Sequence, residues 1–270
     1  MNNNSPILIS FIVPCLNEAP RIEGALENIR EACRQNNIEN FEILVVDDGS
    51  TDDTPEVVER YINEKDVADV VRLIRQEQNR GLGRTYLDNA FLARGQYYRM
   101  YCGDAAEPSE ALADALGHLG EADIILSVHN TVPGRPLGRT VLSKTFTFLV
   151  NTISGHKITY YNGSPILLRY DVMRWAPNSF GFGFQADLVT RLLDEGRTYR
   201  EVFVHVTHVV KDSEYSALQV RNFLSVGHTL LEISIRRFRQ ILYPTPPELS
   251  SIKPLRNAPY FLEENATTES

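Results

Sequence analysis

Short apolar runs alternate with amphipathic stretches along the N-terminal part of the chain, and this alternation restricts the fold more than any other feature. The apolar runs are rich in β-branched and aromatic residues, which is typical of parallel strands covered on both faces, and lie at residues 7–13, 41–46, 70–74 and 97–101. The stretches between them place apolar residues at helical spacing. Three successive β-α-β units predict a right-handed, mostly parallel α/β sheet flanked by helices, as in Rossmann-like folds.

The rest of the chain continues this pattern less regularly. We expect further helices and strands at residues 109–119, 123–128, 137–154, 185–195 and 199–204, and a long amphipathic helix at residues 220–242. The segment that follows, residues 244–270, is rich in proline at its start and predicts an extended tail. The chain is long enough to bury one large core, and we expect one domain over residues 1–243.

Polar residues collect directly after the predicted strands, at the end of a parallel sheet where ligands bind. They are Asn17, Glu18, Asp47, Asp48, residues 79–84 and Asp104. The carboxylates of Asp47 and Asp48 can accept hydrogen bonds from a nucleobase N–H and from ribose hydroxyls. The same Asp-Asp-Gly-Ser sequence is also what a turn before a helix requires, so this motif alone leaves both interpretations open.

Composition and charge argue against several classes of protein. The formal net charge is -8 and Lys and Arg are not clustered early in the chain, which argues against a nucleic-acid partner. Cys15, Cys33 and Cys102 show no CxxC spacing, so neither a disulfide framework nor a zinc site is indicated, and a reducing cytoplasmic location fits. No run approaches the ~20 apolar residues of a membrane span, so we expect any attachment to the inner face of a membrane to be peripheral.

Three motifs at the predicted strand ends together resemble the inverting family 2 glycosyltransferases. They are IVPCLNE at residues 12–18, VVDDGSTDDT at 45–54 and NRGLG at 79–83. The resemblance is to the polyprenyl-phosphate branch, which includes dolichyl-phosphate mannose synthase. It implies a GT-A fold, a nucleotide-diphosphosugar donor such as a UDP- or GDP-sugar, and transfer with inversion. We therefore expect residues 1–120 to form the nucleotide-sugar half and residues 121–243 the acceptor half.

The resemblance assigns the donor contacts to residues at these strand ends. Those expected to contact or support the nucleoside are Pro14, Asn17, Glu18, Asp47, Asp48 and Ser50. Those in the glycine loop near the donor are Asn79, Gly81, Gly83 and Arg84. The glycine loop lacks the third glycine of a dinucleotide-binding fingerprint, so a nicotinamide cofactor is not expected.

The metal motif departs from the family pattern. The family carries Asp-x-Asp after the fourth strand, but this chain has Cys102 in place of the first Asp and Ala106 in place of a later ligand. Asp104 is retained as the expected catalytic residue and metal ligand, and Glu107 is an alternative ligand. The resemblance implies a divalent cation, Mg2+ or Mn2+, and a cation can bind through one carboxylate together with substrate phosphates.

Cationic side chains can stabilise the leaving diphosphate where the metal is weakly held. The candidates are Arg80, Arg84, Arg135, Arg139 and Lys211. The arginines fit a solvated surface position equally well. We expect His205 and His208 to be structural or hydrogen-bonded residues rather than metal ligands.

Asp187 is the candidate general base. A hydroxyl acceptor needs a carboxylate to take its proton, whereas a phosphate acceptor is already ionised near neutral pH. Asp187 fits a first helical turn equally well, since a carboxylate there interacts favourably with the helix dipole. The resemblance makes polyprenyl phosphate the expected acceptor, with a soluble sugar hydroxyl as the alternative.

The predicted helix at residues 220–242 has an apolar stripe and a basic end. The stripe comprises Val220, Phe223, Leu224, Leu230, Leu231, Ile235, Phe238 and Leu242. The basic residues are Arg236, Arg237 and Arg239. The helix either packs on its own domain or lies at a membrane surface, where basic residues meet anionic lipid.

Two other functions stay open. One is a nucleotide-sugar-binding protein that has lost turnover, which Cys102 and Ala106 would explain. The other is a nucleotidyltransferase, but the basic, glycine-rich loop that such enzymes usually carry after the first strand is absent from this sequence.

Overall fold

The computed structural model of the protein describes residues 6–129, 137–175, 181, 183–204 and 220–244. In chain order, the strands and helices are β1 (Ile9–Cys15), α1 (Ile22–Gln35), β2 (Phe41–Asp47), α2 (Thr54–Lys65), β3 (Val71–Arg75), α3 (Leu82–Ala90), β4 (Tyr97–Met100), α4 (Ser109–Leu116), β5 (Ile124–His129), α5 (Leu137–Ser154), β6 (Ile166–Leu168), α6 (Arg169–Met173), α7 (Phe184–Asp194), β7 (Tyr199–Val204) and α8 (Val220–Leu242). The predicted strands and helices are found within a few residues of their expected bounds. The short elements β6 and α6 were not predicted.

The strands that the structure describes form one sheet in the order β3-β2-β1-β4-β6-β5-β7. Pairing is parallel between β3 and β2, β2 and β1, β1 and β4, and β5 and β7. The strand β6 runs antiparallel to both of its neighbours, β4 and β5. The predicted α/β class with a mostly parallel sheet is therefore confirmed.

Helices cover both faces of the sheet. On one face, α1, α2 and α4 pack against Phe11 and Val13 of β1. On the other face, residues of α3, α5, α7 and α8 join a second core with Ile12 of the same strand. Because successive strand residues point to opposite faces, a strand covered on both sides has to be apolar throughout, which explains the continuous runs in the sequence.

None of the described helices combines the length and the apolarity that a bilayer crossing requires.

The chain around Gly163 passes closely over β5. A Cβ atom on Gly163 would lie 1.8 Å from the carbonyl oxygen of Ser127, so a larger residue fits only if the backbone moves. The carbonyl oxygen of the next residue, Ser164, accepts a hydrogen bond from Nε of Arg99 at 3.1 Å. The close approach therefore places an acceptor beside a buried arginine of β4.

Replacing Gly163 by Ala is expected to lower the free energy of unfolding by about 1–3 kcal/mol, because the added methyl group clashes with backbone atoms of β5. Gly227→Ala is the matched control, since a Cβ atom at that position on α8 meets nothing within 4 Å. We expect the control to be neutral or to gain about 0.5–1 kcal/mol from helix propensity. Urea unfolding of both variants measures the difference, and equal stabilities would contradict the clash.

Candidate active site

The carboxyl ends of three neighbouring strands meet at one edge of the sheet. Cys15 of β1 lies opposite Asp47 of β2, and the N–H of Asp48 donates to the Cys15 carbonyl oxygen at 2.9 Å. Beyond the end of β4, on the other side of β1, the N–H of Gly103 donates to the carbonyl oxygen of Pro14 at 3.3 Å. Parallel pairing thus brings together the loops in which the donor site was predicted.

Side-chain hydrogen bonds fasten the loop after β1 to the loop after β2. The N–H of Asn17 donates to Oγ of Ser50 at 2.9 Å, and Oδ1 of Asn17 accepts from the N–H of Thr51 at 2.9 Å. The N–H of Glu18 donates to Oγ1 of Thr54 at 2.9 Å. Asn17 has a φ of 58°, in the left-handed region that Asn tolerates better than most residues. The predicted donor residues Asn17 and Ser50 therefore shape these loops.

Asp48 links the end of β2 to the glycine loop. Its Oδ1 accepts from the N–H of Arg80 at 2.8 Å, and its Oδ2 accepts from the N–H of Gly81 at 3.1 Å. Its neighbour Asp47 supports the turn after β2, since Oδ1 of Asp47 accepts from the N–H of Ser50 at 3.0 Å. A carboxylate oxygen has a second lone pair, so Asp48 can hold the glycine loop and still accept hydrogen bonds from a nucleoside.

The glycine loop turns directly into α3. Oδ1 of Asn79 accepts from the N–H of Gly81 at 3.0 Å, and Gly81 has a φ of 83°, which favours glycine. Gly83 is buried in the first turn of the helix. The side chains of Arg80 and Arg84 both contact Asp88, at 2.8 and 3.0 Å. Two cationic groups therefore lie in the loop and helix turn that follow the Asp48 contact.

Glu18 lies where negative charge is concentrated. Burial raises its pKa, the Arg21 guanidinium opposes this shift, and the carboxylates of Asp104 and Asp52 add to it. Arg21 lies 2.7 Å from a carboxylate oxygen of Glu18. A nucleobase N–H or a cation bound at this edge would offset the concentrated charge.

A buried ion pair fixes the loop after β4. Arg99 is fully buried, and its NH2 group lies 2.6 Å from Oε1 of Glu107. The carbonyl oxygen of Glu107 accepts hydrogen bonds from the Tyr101 hydroxyl and, at 3.2 Å, from Nδ2 of Asn28. Because Oε1 of Glu107 is bound to Arg99, the structure favours a structural role for Glu107 over that of a replacement metal ligand.

Asp104 is the carboxylate that this loop offers to a cation. Its Oδ1 accepts from the N–H of Ala106 at 3.1 Å. Cys102 is exposed, and a thiol is a weaker ligand for Mg2+ or Mn2+ than the carboxylate that it replaces. Among the described residues, no three His, Cys, Asp or Glu side chains are grouped to hold a metal ion. The donor set fits a cation bound through one carboxylate together with substrate phosphates.

Asp187 lies buried in the first turn of α7. Its Oδ2 accepts from Nε1 of Trp175 at 3.0 Å and from Nε of Arg191 at 3.2 Å, and its Oδ1 is paired with Arg236 of α8. Arg236 also lies 3.1 Å from Oδ2 of Asp194. Both oxygens of Asp187 are bound to protein groups, which favours its structural interpretation. Because Arg236 is held by two carboxylates, the expectation that it meets lipid is wrong.

Several predicted site residues lie outside the backbone or side chains that the structure describes, and one residue that was not predicted supports the site. The positions outside the described backbone or side chains are Arg135, Arg139, His205, His208 and Lys211. The added residue is Arg99, whose ion pair with Glu107 holds the Asp104 loop. The sequence signal for this role is a charged residue within the apolar run at residues 97–101, because a buried Arg requires an oppositely charged or hydrogen-bonding partner.

The chain matches the family model described as "Glycosyl transferase family 2" over residues 10–174, which is more than half of its length. The chain belongs to glycosyl transferase family 2. The match includes each of the strand-end loops described above.

Curated relatives and solved structures agree with this assignment. A dolichyl-phosphate beta-glucosyltransferase from Dictyostelium discoideum is 34% identical over 113 residues, which cover 39% of this chain and 34% of the relative. The human dolichyl-phosphate beta-glucosyltransferase is 33% identical over 102 residues, covering 36% and 31%. The chain thus spans about a third of the length of these relatives.

Among solved structures, glucosyl-3-phosphoglycerate synthase from Mycobacterium tuberculosis, in complex with UDP, has a TM-score of 0.64 at 18% identity and covers 84% of this chain and 80% of that one. The mannosyltransferase PcManGT from Pyrobaculum calidifontis, in complex with GDP-Man and Mn2+, has a TM-score of 0.56 at 18% identity, covering 91% and 79%. At these identities the likeness establishes the fold alone. The GT-A fold implied by the sequence motifs is confirmed.

Replacing Asp48 by Ala is expected to weaken UDP or GDP binding by about 1.5–3 kcal/mol, because a charge-assisted hydrogen bond to the nucleoside is lost. Isothermal titration calorimetry measures the change. Asp114→Ala removes an exposed carboxylate of α4 and serves as the matched control, with no expected change. Unchanged affinity in a folded Asp48→Ala variant would remove Asp48 from the nucleoside site.

Replacing Asp104 by Asn is expected to abolish the stimulation of turnover by Mn2+ or Mg2+ while nucleoside binding stays near its original strength. Donor turnover assays with and without each cation, together with UDP and GDP titrations, measure both effects. Cys102→Asp, which restores the family motif, should lower the cation concentration needed for half-maximal stimulation. Full cation stimulation in the Asp104→Asn variant would show that Asp104 is not the ligand.

Proposed function

We propose that this enzyme transfers a sugar, with inversion, from a UDP- or GDP-sugar to the phosphate group of a polyprenyl phosphate. The observation that carries the choice of acceptor is the environment of Asp187, the carboxylate predicted as the general base. Both of its oxygens are bound to Trp175, Arg191 and Arg236. A hydroxyl acceptor needs such a base, whereas an ionised phosphate does not.

The reaction then needs a single displacement. An anionic oxygen of the acceptor phosphate forms a bond to the anomeric carbon while the bond from that carbon to the donor diphosphate breaks. The electron pair of the broken bond leaves with the nucleoside diphosphate, and no proton has to be removed from the acceptor. The chain must therefore hold the donor, stabilise the charge that develops on the leaving diphosphate, and exclude water from the anomeric carbon.

The donor is held at the strand ends in this proposal. Asp48 and Glu18 contact the nucleoside, and Pro14 and Asn17 line the same loop. Asp47 and Ser50 support the turn. The burial of Asp48 favours this role, because a buried carboxylate that accepts from two backbone N–H groups stays fixed in place before the donor binds. Relatives of the same fold bind UDP or GDP-Man, as reported above, so both bases remain candidates.

The diphosphate is stabilised by cations from two sources. Asp104 would hold a divalent cation, Mg2+ or Mn2+, together with the donor phosphates, and this cation would supply Lewis-acid stabilisation of the leaving group. Arg80 and Arg84 supply further positive charge from the glycine loop and α3, after exchanging their contact with Asp88 for the diphosphate. Lys211 is proposed as an additional contact on sequence grounds.

The acceptor proposal also rests on the relatives with which the chain shares its donor-site region. Two of them are named as dolichyl-phosphate beta-glucosyltransferases, so a lipid phosphate acceptor agrees with their names. A lipid acceptor lies in a bilayer, so we propose that the enzyme attaches peripherally to the cytoplasmic face of a membrane.

A second candidate is a nucleotide-sugar-binding protein with impaired turnover. Cys102 at the first position of the metal motif is the observation that favours it, since a carboxylate is missing there. Nucleotide binding without any transfer or donor hydrolysis, with and without Mn2+, would select this candidate over the enzyme.

The decisive experiment compares a short-chain polyprenyl phosphate with the corresponding polyprenol, which differs only in lacking the phosphate. With a UDP- or GDP-sugar and Mn2+, we expect transfer to the phosphate and none to the alcohol, since the alcohol has no ionised oxygen and both oxygens of Asp187 are bound to protein groups. Product analysis by mass spectrometry identifies the acceptor. Transfer to the polyprenol, or to a soluble sugar hydroxyl alone, would contradict the proposal.

A further inference from the structure

Exposed apolar side chains form a stripe along α8. Successive members are seven, four, three and four residues apart, a spacing that puts them on one side of a helix, and they are Leu224, Leu231, Ile235, Phe238 and Leu242. Their exposed fractions run from 46% to 72%. A contiguous row of large exposed apolar side chains marks a surface that is covered by something else when the protein works.

The opposite side of α8 is held against the protein. Thr229 and Ile233 are almost fully buried, and a Cβ atom on Gly183, the residue before α7, would lie 2.5 Å from Oγ1 of Thr229. Arg236 lies on this side as well and is paired with Asp187 and Asp194 of α7. These contacts fix the rotation of α8 about its axis, so the apolar stripe faces away from α7.

The helix α5, which packs beside α8, also exposes apolar side chains. Val141 and Phe148 are 63% and 68% exposed, and Lys144 is exposed between them. Spacings of three and four residues place all three on one side of α5. The exposed apolar area therefore extends over two neighbouring helices.

The charge of these two helices is opposite to that of the whole chain. Together α5 and α8 contain six Lys and Arg residues and one Glu, whereas the formal net charge of the protein is -8. Arg237 and Arg239 are exposed near the end of the stripe, and the exposed aromatic residue Tyr243 follows them. Apolar side chains flanked by cations and an aromatic ring complement the interface of an anionic bilayer.

We infer that α5 and α8 together form the surface by which the enzyme docks on an anionic phospholipid bilayer. The apolar stripe enters the boundary between headgroups and acyl chains, and Lys144 and Arg239 contact the anionic headgroups. For its role in bringing the enzyme to a lipid phosphate, this inference rests on the proposed function. The docking itself follows from the exposed side chains and their charge.

A second copy of the chain is a less suitable occupant of this surface. A two-fold dimer would bury the stripe against the same two helices of the other copy, and these carry six Lys and Arg residues but one Glu, so they offer little negative charge to complement the cations. A bilayer that contains phosphatidylglycerol supplies the opposite charge.

The test is sedimentation of the full-length protein with vesicles of phosphatidylcholine and phosphatidylglycerol at low salt. The double variant Leu231→Ser/Phe238→Ser is expected to bind at least about tenfold more weakly, since two large side chains no longer enter the lipid. The matched control is Phe91→Ser/Leu92→Ser, which removes one exposed Phe and one exposed Leu beside the edge strand β3. The control should bind as the unchanged protein does.

The charge contribution is tested separately. Lys144→Gln/Arg239→Gln should reduce binding to phosphatidylglycerol vesicles about tenfold and flatten its salt dependence. The control Arg34→Gln/Arg60→Gln removes two exposed cations from α1 and α2, on the other face of the sheet, and should have little effect. Arg236 and Arg237 are left unchanged because both contact Asp194 of α7 and help to hold α8 in place.

Three results would overturn the inference: no binding of the unchanged protein to anionic vesicles, equal binding of the stripe variant and its control, or a dimer in analytical ultracentrifugation that the stripe variant abolishes. The proposed function is assayed independently with a short-chain polyprenyl phosphate in detergent, where the stripe variant should keep its turnover. Vesicle binding without transfer would refute the proposed function and leave the docking surface intact, whereas transfer without vesicle binding would do the reverse.

Discussion

Parallel pairing of β1 with β2 on one side and β4 on the other is the constraint on which the active site depends. It sets Cys15 beside Asp47 and leads Gly103 back to Pro14, so that three loops separated in sequence begin at the same edge. The loops are short, and their polar side chains form hydrogen bonds with the neighbouring loops. The proposed donor site is therefore largely formed without a ligand, which reduces the entropic cost that binding of a donor would have to overcome.

Much of this arrangement was predictable from the sequence, because it depends on local patterns. Continuous apolar runs identify strands covered on both faces, and the carboxyl ends of parallel strands coincide, so placing Asn17, Glu18 and Asp48 together required no knowledge of side-chain contacts. The strand β6 was not predicted from the sequence. Its three apolar residues, Ile166–Leu168, lie directly before a short helix and show neither the length nor the flanking turn residues that are typical of a strand.

Contacts between distant residues account for what the sequence could not predict. Asp187 looks like a base or a helix-turn residue until Arg236, from a helix far along the chain, is seen to pair with it. Glu107 looks like a spare metal ligand until Arg99 is found beneath it. Periodicity identified apolar residues on α8, but it could not show that Ile233 faces the core while Leu231 faces outward. Each reassignment follows from a partner that only the tertiary structure supplies.

The antiparallel strand β6 separates the sheet into two parallel groups, β3-β2-β1-β4 and β5-β7. The strand-end loops of the candidate donor site all follow strands of the first group. The connection between the groups is short, since β6 pairs with β4 at Tyr97 and Tyr98 and with β5 at Ile124 and Ile125. Ile166–Leu168 takes no part in the candidate site, so substitutions that alter how the two groups are joined can accumulate without changing the residues that face the donor.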